Sequence, residues 1–459
     1  MLGLIGFGIK AAFIPLHVWL PKAYSGAPSH VPAVLSGAMS KLGIYGLLRL
    51  LGFLPDVESW WPGLIIGIGA LTAAGGVLTA LGQPTFRRIL AYSSIENLGI
   101  VSLGLGVGLL GMSTHHLDLA TIGLTGGLLH ILNHSLFKSL LFLSCATVEA
   151  SAGSSSVDRL GGLIKRMPVV GACTAIGCAA ICGLPPLNGF AGEFLIYLSA
   201  FAEELELSPV GAIEALTVIG VLALAGGVSA VIFTLSFGTI FLGAPRTPEA
   251  ENAPNAGWQS QVALVVLAGL CILVGVTSPI AIGVLQPAVM EILTGPLHGL
   301  ANAAPSTVVP DAQSLLRWVI TVTACWAGFV LLLFVVRMWL LKGRIVRRSV
   351  TWGCGYAKPE ARMQYTGSSF AMPLVEVFSA VVQLRWSKDL PRGLFPSTAR
   401  LESRGFDPIT QKGYVPLFRM IGRWLGQLKW LQHGRLQYYV MYVAVTVVLL
   451  LIWTFSLPD

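Results

Sequence analysis

The chain has 459 residues, of which 54% are hydrophobic and 11% charged, with a formal net charge of +8. A soluble domain carries roughly 25% charged residues, so the composition excludes a cytosolic globular enzyme and a nucleic-acid binder. A mean hydropathy of +0.76 excludes a disordered chain as well.

About ten apolar runs follow one another, each near the ~20 residues that cross a bilayer as a helix. The first covers residues 1–20 and is broken at Pro15; the second covers 31–54. The third runs over 62–83, the fourth over 88–110 and the fifth over 118–150. The sixth, 167–201, is interrupted by Gly183-Leu-Pro-Pro-Leu-Asn-Gly189. The seventh covers 210–242, the eighth 258–285, the ninth 315–341 and the tenth 436–455. This predicts an all-α polytopic membrane protein with two broken helices.

The loops alternate in charge. One side receives Lys22, then Arg87 and Arg88, then Arg159, Lys165 and Arg166, then a long basic block. The other receives Asp56 and Glu58, Asp118, then Glu203, Glu204 and Glu206, then Glu291 and Asp311. The loop from Pro245 to Asn255 breaks the pattern. Cytoplasmic loops carry the excess of Lys and Arg, so the basic side is expected in the cytoplasm.

The basic block, residues 342–434, holds 15 basic and 5 acidic residues. It is expected to lie on the membrane interface and contact lipid headgroups, with docking to a soluble subunit as a secondary role. Within it, Leu374 to Trp386 is expected to form a short interfacial helix, and Trp386, Trp424 and Trp430 suit the headgroup boundary. The domain boundaries follow: 1–286 for translocation, 287–341 for an added helix and loop, 342–434 for the basic segment and 435–459 for the last helix.

Seven cysteines show no paired metal-ligand spacing, and Cys173, Cys178 and Cys182 read as small packing residues. No cofactor motif is visible. No cofactor of its own is therefore expected, and any redox chemistry is assigned to partner subunits.

Charge inside the membrane carries the functional argument. A charge at the centre of a membrane helix costs roughly 2.5–3.5 kcal/mol on insertion scales, and such residues default to a functional role. The candidates are Lys10, Lys41, Lys138, Glu193 and Glu96. Lys41 stands about ten residues from either end of its run, roughly 15 Å by helical rise, too deep to snorkel. Glu96 sits early in its run, and reaching the interface competes with function there.

The sharpest pattern is His130, His134 and Lys138, spaced along one helical face. Imidazole has a donor and an acceptor nitrogen and titrates near neutrality, so a stack of two with a lysine suits proton transfer. Zinc ligation ranks below, because this run lacks a third ligand. Both broken runs hold a charge near the break, Lys10 before Pro15 and Glu193 after Pro185-Pro186. Transporters place such breaks at ion sites near the midplane, in corresponding positions of two repeats.

Several stretches resemble one family. Lys10-Ala-Ala-Phe-Ile-Pro-Leu-His-Val-Trp-Leu-Pro21 is similar to a motif of antiporter-like proton-translocating subunits. Those include the large membrane subunits of respiratory complex I, Mrp-type antiporter subunits and membrane-bound hydrogenases. Further matches are the stretch from Ala27 through Lys41 to Gly46, Arg88 to Gly99, His130 to Lys138 and Gly183 to Glu193. The tail, Trp352-Gly-Cys-Gly-Tyr356 and Arg362 to Phe370, is similar to the hydrogenase-4 component B and formate hydrogenlyase subunit 3 branch.

The resemblance implies two inverted five-helix repeats, each with a broken helix. It implies that Lys10 is the central lysine of the first broken helix and Lys41 the lysine of the next. His130, His134 and Lys138 become the connecting relay and Glu193 the terminal carboxylate; Glu96 stays a possible relay residue on its position in the span alone. Protons, or Na⁺, would move under the drive of electron transfer in partner membrane and peripheral subunits of the cell inner membrane. The family ordinarily has about six helices before Lys10, so the sequence looks truncated at its amino terminus. A stand-alone Mrp-type Na⁺/H⁺ antiporter subunit and a truncated structural anchor are the alternatives.

Overall fold

The computed structural model describes residues 2–53, 57–201, 209–294, 308–344, 360–379, 381–389, 400–431 and 434–456. Asp56, Glu203, Glu204, Glu206 and the motif from Trp352 to Tyr356 lie outside the described residues. The chain forms two units, Met1–Phe406 and Asp407–Asp459.

The first unit begins with a broken span. Helix α1 (Leu2–Lys10) and helix α2 (Leu20–Gly26) are separated by a non-helical stretch. The next span runs through α3 (Val31–Val34), a wide π-helical turn (Leu35–Met39) and α4 (Lys41–Leu51). Then come α5 (Trp60–Leu81), α6 (Phe86–Ser113) and α7 (Leu117–Ala152). Thr85 opens α6 by accepting a hydrogen bond from the Arg88 amide at 3.3 Å, the arrangement of a side-chain N-cap. Gly153, at φ 66°, closes α7 in the left-handed region.

The second break divides α8 (Pro168–Ile181) from α9 (Asn188–Ala200). Two prolines and Gly183, at φ 64°, prevent a continuous helix there. Helix α10 (Pro209–Phe241) leads to the short α11 (Pro248–Glu251) and then α12 (Trp258–Val276). The eighth run does not end at residue 285 as expected. It turns at Thr277 and continues as α13 (Ser278–Leu293). Leu264 and Ala268 of α12 share an apolar cluster with Val148 and Ala152 at the end of α7, while Val289 and Leu293 of α13 share another with Ala120 and Leu124 at its start. The pair therefore runs antiparallel to α7. Helix α14 (Val308–Leu340) follows.

Helix α6 is the centre of this unit, buried along nearly its whole length. Lipid tails are as apolar as leucine, so helices here join by close packing more than by hydrophobic burial. Small residues supply it. A Cβ on Gly76 of α5 would stand 2.5 Å from the Glu96 amide nitrogen, so the two backbones meet directly.

The end of the first unit corrects one expectation. Helix α15 (Gly367–Val377) stops before the middle of the predicted Leu374-to-Trp386 helix. Strand β1 (Gln383–Asp389) instead pairs antiparallel with β2 (Arg400–Phe406). Val381 and Val382 favour extended backbone, and the Arg385 guanidinium lies 4.7 Å over the Phe406 ring. The Gly405 amide donates to the Gly82 carbonyl at 3.0 Å and fastens this hairpin to the end of α5.

The second unit holds α16 (Val415–Gln427) and α17 (Leu436–Ser456). The Asp407 carboxylate accepts from the Ile409 amide at 2.9 Å and from the Thr410 hydroxyl. Helix α16 exposes Leu417, Phe418, Ile421, Trp424 and Leu425, with Arg419 and Arg423 on the opposite face by helical spacing.

Among the described residues, eight helical stretches are long and apolar enough to cross a membrane. With the two broken spans they make the ten expected from the sequence.

Candidate functional site

The site is built where α6 and α7 lie antiparallel. Their connecting loop is three residues long, so the fourth turn of one helix faces the fourth-last turn of the other. The polar residues of α6 meet the His130, His134 and Lys138 face of α7, and all three of those side chains are fully buried.

Lys138 donates to the Leu90 carbonyl at 3.0 Å and to the Ser93 hydroxyl. Its ammonium lies 5.9 Å from the centre of the Phe233 ring on α10. One turn further along α6, the Asn97 side-chain oxygen pairs with His130 Nε2 at 3.1 Å, while its nitrogen donates to the Ser93 carbonyl at 2.8 Å. Asn97 thus ties the His130 end of the row to the Lys138 end. The His134 ring stands between them, 5.4 Å from the Phe137 ring centre.

Lys41 enters from the side. The π turn displaces the helical ladder, and the Ser36 carbonyl accepts from both the Ser40 hydroxyl at 3.3 Å and the Lys41 ammonium. The Ser36 hydroxyl pairs with the Ser94 hydroxyl on α6 at 2.9 Å. Lys41 lies within electrostatic reach of His130, His134 and Lys138, and His134 within reach of His130 and Lys138.

Glu193 lies on α9, beside the second break and partly buried. Its carboxylate fills the space where a Gly183 side chain would be: a Cβ there would stand 2.7 Å from Oε2. Glu96 is buried and accepts from the Ser229 hydroxyl of α10 at 2.6 Å. Its side chain is enclosed by protein rather than exposed at the end of the span.

Lys10 differs from the rest. It ends α1 with its side chain only half-buried. The chain turns there against α4, where a Cβ on Gly43 would stand 2.5 Å from the Ala11 amide nitrogen. Lys10 is thus near Lys41 through the backbone, without a place in the buried row on α6 and α7.

Sequence reading passed over Asn97, Ser36 and Ser229. Asn97 follows Glu96 directly and shares its buried helix, which was the available signal. Ser36 and Ser229 were legible only once their helices were packed. Among the described residues, no three His, Cys, Asp or Glu side chains converge as a metal site requires.

The sequence pattern described as NADH:quinone oxidoreductase/Mrp antiporter, TM, matches residues 1–219. Hydrogenase-4 component B of Escherichia coli (strain K12) is 36% identical over 475 residues, covering 98% of this chain and 68% of that protein. The chain belongs to this antiporter-like family of membrane subunits. Formate hydrogenlyase subunit 3 of the same organism is 40% identical over 393 residues, covering 84% of this chain and 61% of that protein. The family's fold recurs in the membrane-bound sulfane sulfur reductase, an archaeal respiratory membrane complex. It matches with a TM-score of 0.66 at 24% identity, over 98% of this chain and 68% of that one. The Mrp complex from a Dietzia species matches with a TM-score of 0.54 at 22% identity, over 64% of this chain and 59% of that one. The chain is therefore a multi-pass, antiporter-like membrane subunit.

Proposed function

We propose that this chain is the proton-translocating membrane subunit of a redox-driven complex of the hydrogenase or quinone-oxidoreductase kind. The observation that carries the reading is the buried row of Lys41, His134, Lys138 and His130 in apolar surroundings. Uncompensated charge is expensive there, and a row of four nitrogen bases has no packing purpose that apolar residues would not serve better.

The chemistry favours H⁺ over Na⁺. Hard cations take oxygen ligands, whereas amines and imidazoles take up and release protons. His134 Nδ1 and Nε2, His130 Nδ1 and both side-chain polar atoms of Asn133 are buried without a protein partner. Buried polar groups of that kind are satisfied by ordered water. Water between these atoms would join Lys41 to Lys138 as a hydrogen-bonded path. The charge of one lysine acts on the next by Coulomb interaction, which gives redox events elsewhere a way to drive the row.

The partners implied are the other membrane and peripheral subunits of such a complex, which supply the electron transfer. The membrane is the cell inner membrane, with the basic loops and residues 342–434 on the cytoplasmic side. Lys10 and Glu193, each beside a break, would stand at the two ends of the path.

The test uses the tagged chain with the subunits that co-purify, reconstituted in vesicles. A valinomycin-potassium potential is imposed, and trapped pyranine reports proton entry. Lys138→Ala is expected to lower the flux by about tenfold or more, with assembly intact. The co-purified subunits are expected to carry visible redox absorbance. Flux in Lys138→Ala equal to that of the wild type, or no flux in the wild type, overturns the reading.

A further inference from the structure

The row on α7 leaves a gap between Lys138 and Glu193. Where α7 meets the start of α9, Asn188 Nδ2 donates to the Asn133 carbonyl at 3.2 Å. A carboxamide orients neighbours but does not take up a proton at neutral pH.

Glu96 supplies a titratable group from α6. It is one helical turn from Ser93, which holds Lys138, and both Lys138 and Glu193 lie within its electrostatic reach. Its Oε1 is fixed by Ser229, while Oε2 is buried without a protein partner. Ser229 in turn touches the break: its carbonyl lies 3.6 Å from the Cys182 sulfur. The next residue, Gly183, is the one that makes room for the Glu193 carboxylate. Glu96, by way of Ser229, and Glu193 directly thus connect to the adjacent residues Cys182 and Gly183 where α8 ends.

We propose that Glu96 carries the proton between Lys138 and Glu193, and that Ser229 is the positioning residue that aims its free oxygen. This rests on the translocation reading above and adds the turn from α7 to the break. The Lys138 ammonium gives one proton to the Glu96 carboxylate, leaving a neutral amine and a neutral acid. Glu96 Oε2 then releases that proton through water to the Glu193 carboxylate. One proton moves and no electron does.

The same vesicles and the same imposed potential test it. Glu96→Gln is expected to cut flux by about tenfold, with co-purifying subunits unchanged, and Glu96→Asp to keep part of it. Infrared difference spectra between energised and resting vesicles should show a carboxyl carbonyl band that Glu96→Gln removes and Ser229→Ala shifts. A purely structural role for Ser229 would leave that band in place. Wild-type flux in Glu96→Gln, or a band that survives it, overturns the proposal. Where Glu96→Gln fails to assemble, Ser229→Ala decides: slowed flux with a shifted band supports, and an unchanged pair overturns. If Lys138→Ala loses flux while Glu96→Gln conducts normally, the role of Glu96 alone falls and the translocation reading stands.

Discussion

Arg87, in the first turn of α6, forms an ion pair with Glu149, in the last turn of α7. The same guanidinium donates to the Ala27 carbonyl at 3.0 Å, the Ser25 carbonyl at 3.3 Å and the Ser29 hydroxyl at 2.6 Å. Ser29 also donates to Glu149 at 2.9 Å. One side chain therefore fastens the end of the first broken span to the two helices that carry the buried row.

Arg87→Gln should loosen that fastening. The two side chains keep 10% and 27% exposure, so the loss is set below that of a fully buried pair, at about 1–3 kcal/mol. Thermal unfolding in detergent should show a lower midpoint, and proteolysis near residues 27–30 should speed up. Arg87→Lys should recover only part, since an ammonium lacks the planar fork that reaches several acceptors at once. A midpoint equal to wild type in Arg87→Gln would show that the contact does not hold the break in place.

Asn97→Leu keeps the volume and removes both hydrogen bonds. It leaves His130 Nε2 without its partner, at a cost of about 1–3 kcal/mol, while the Ser93 carbonyl keeps its helical backbone bond. Proton flux should fall by about tenfold, and Asn97→Asp should not restore it, because a carboxylate cannot donate to the Ser93 carbonyl. Flux measured in reconstituted vesicles decides it.

Gln364 joins the segment before α15 to the loop after α10. Its oxygen accepts from the Ala244 amide at 2.9 Å and its nitrogen donates to the Ala244 carbonyl at 3.0 Å. Arg246 donates to the Tyr365 carbonyl at 2.6 Å in the same place. Gln364→Ala should raise amide hydrogen exchange across residues 360–367 while leaving α6 and α7 protected. Equal exchange in the two proteins would assign the docking to Arg246 and to the Asp158 carboxylate, which accepts from the Gly367 amide at 2.8 Å.

The His130, His134 and Lys138 face was legible because a helical repeat is a local property, and its burial follows from span length alone. Lys41 was legible by depth for the same reason. Glu96 was not: early in its apolar run, its fate depends on which neighbour covers it, and α10 supplies that cover from 133 residues away. The hairpin of β1 and β2 escaped because its pairing is set between strands, while the apolar residues of residues 374–386 fit a helix equally well. The depth of Lys10 was read from its span, but its packing depends on what surrounds α1.

Gly275, at the end of α12, lies directly on the second break: a Cβ there would stand 2.6 Å from the Leu187 carbonyl carbon and 2.7 Å from the Asn188 amide nitrogen. Main chain rests on main chain, with no side chain between to absorb displacement. A tilt of the eighth span would be handed without slack to the start of α9, and through it to the carboxylate five residues along.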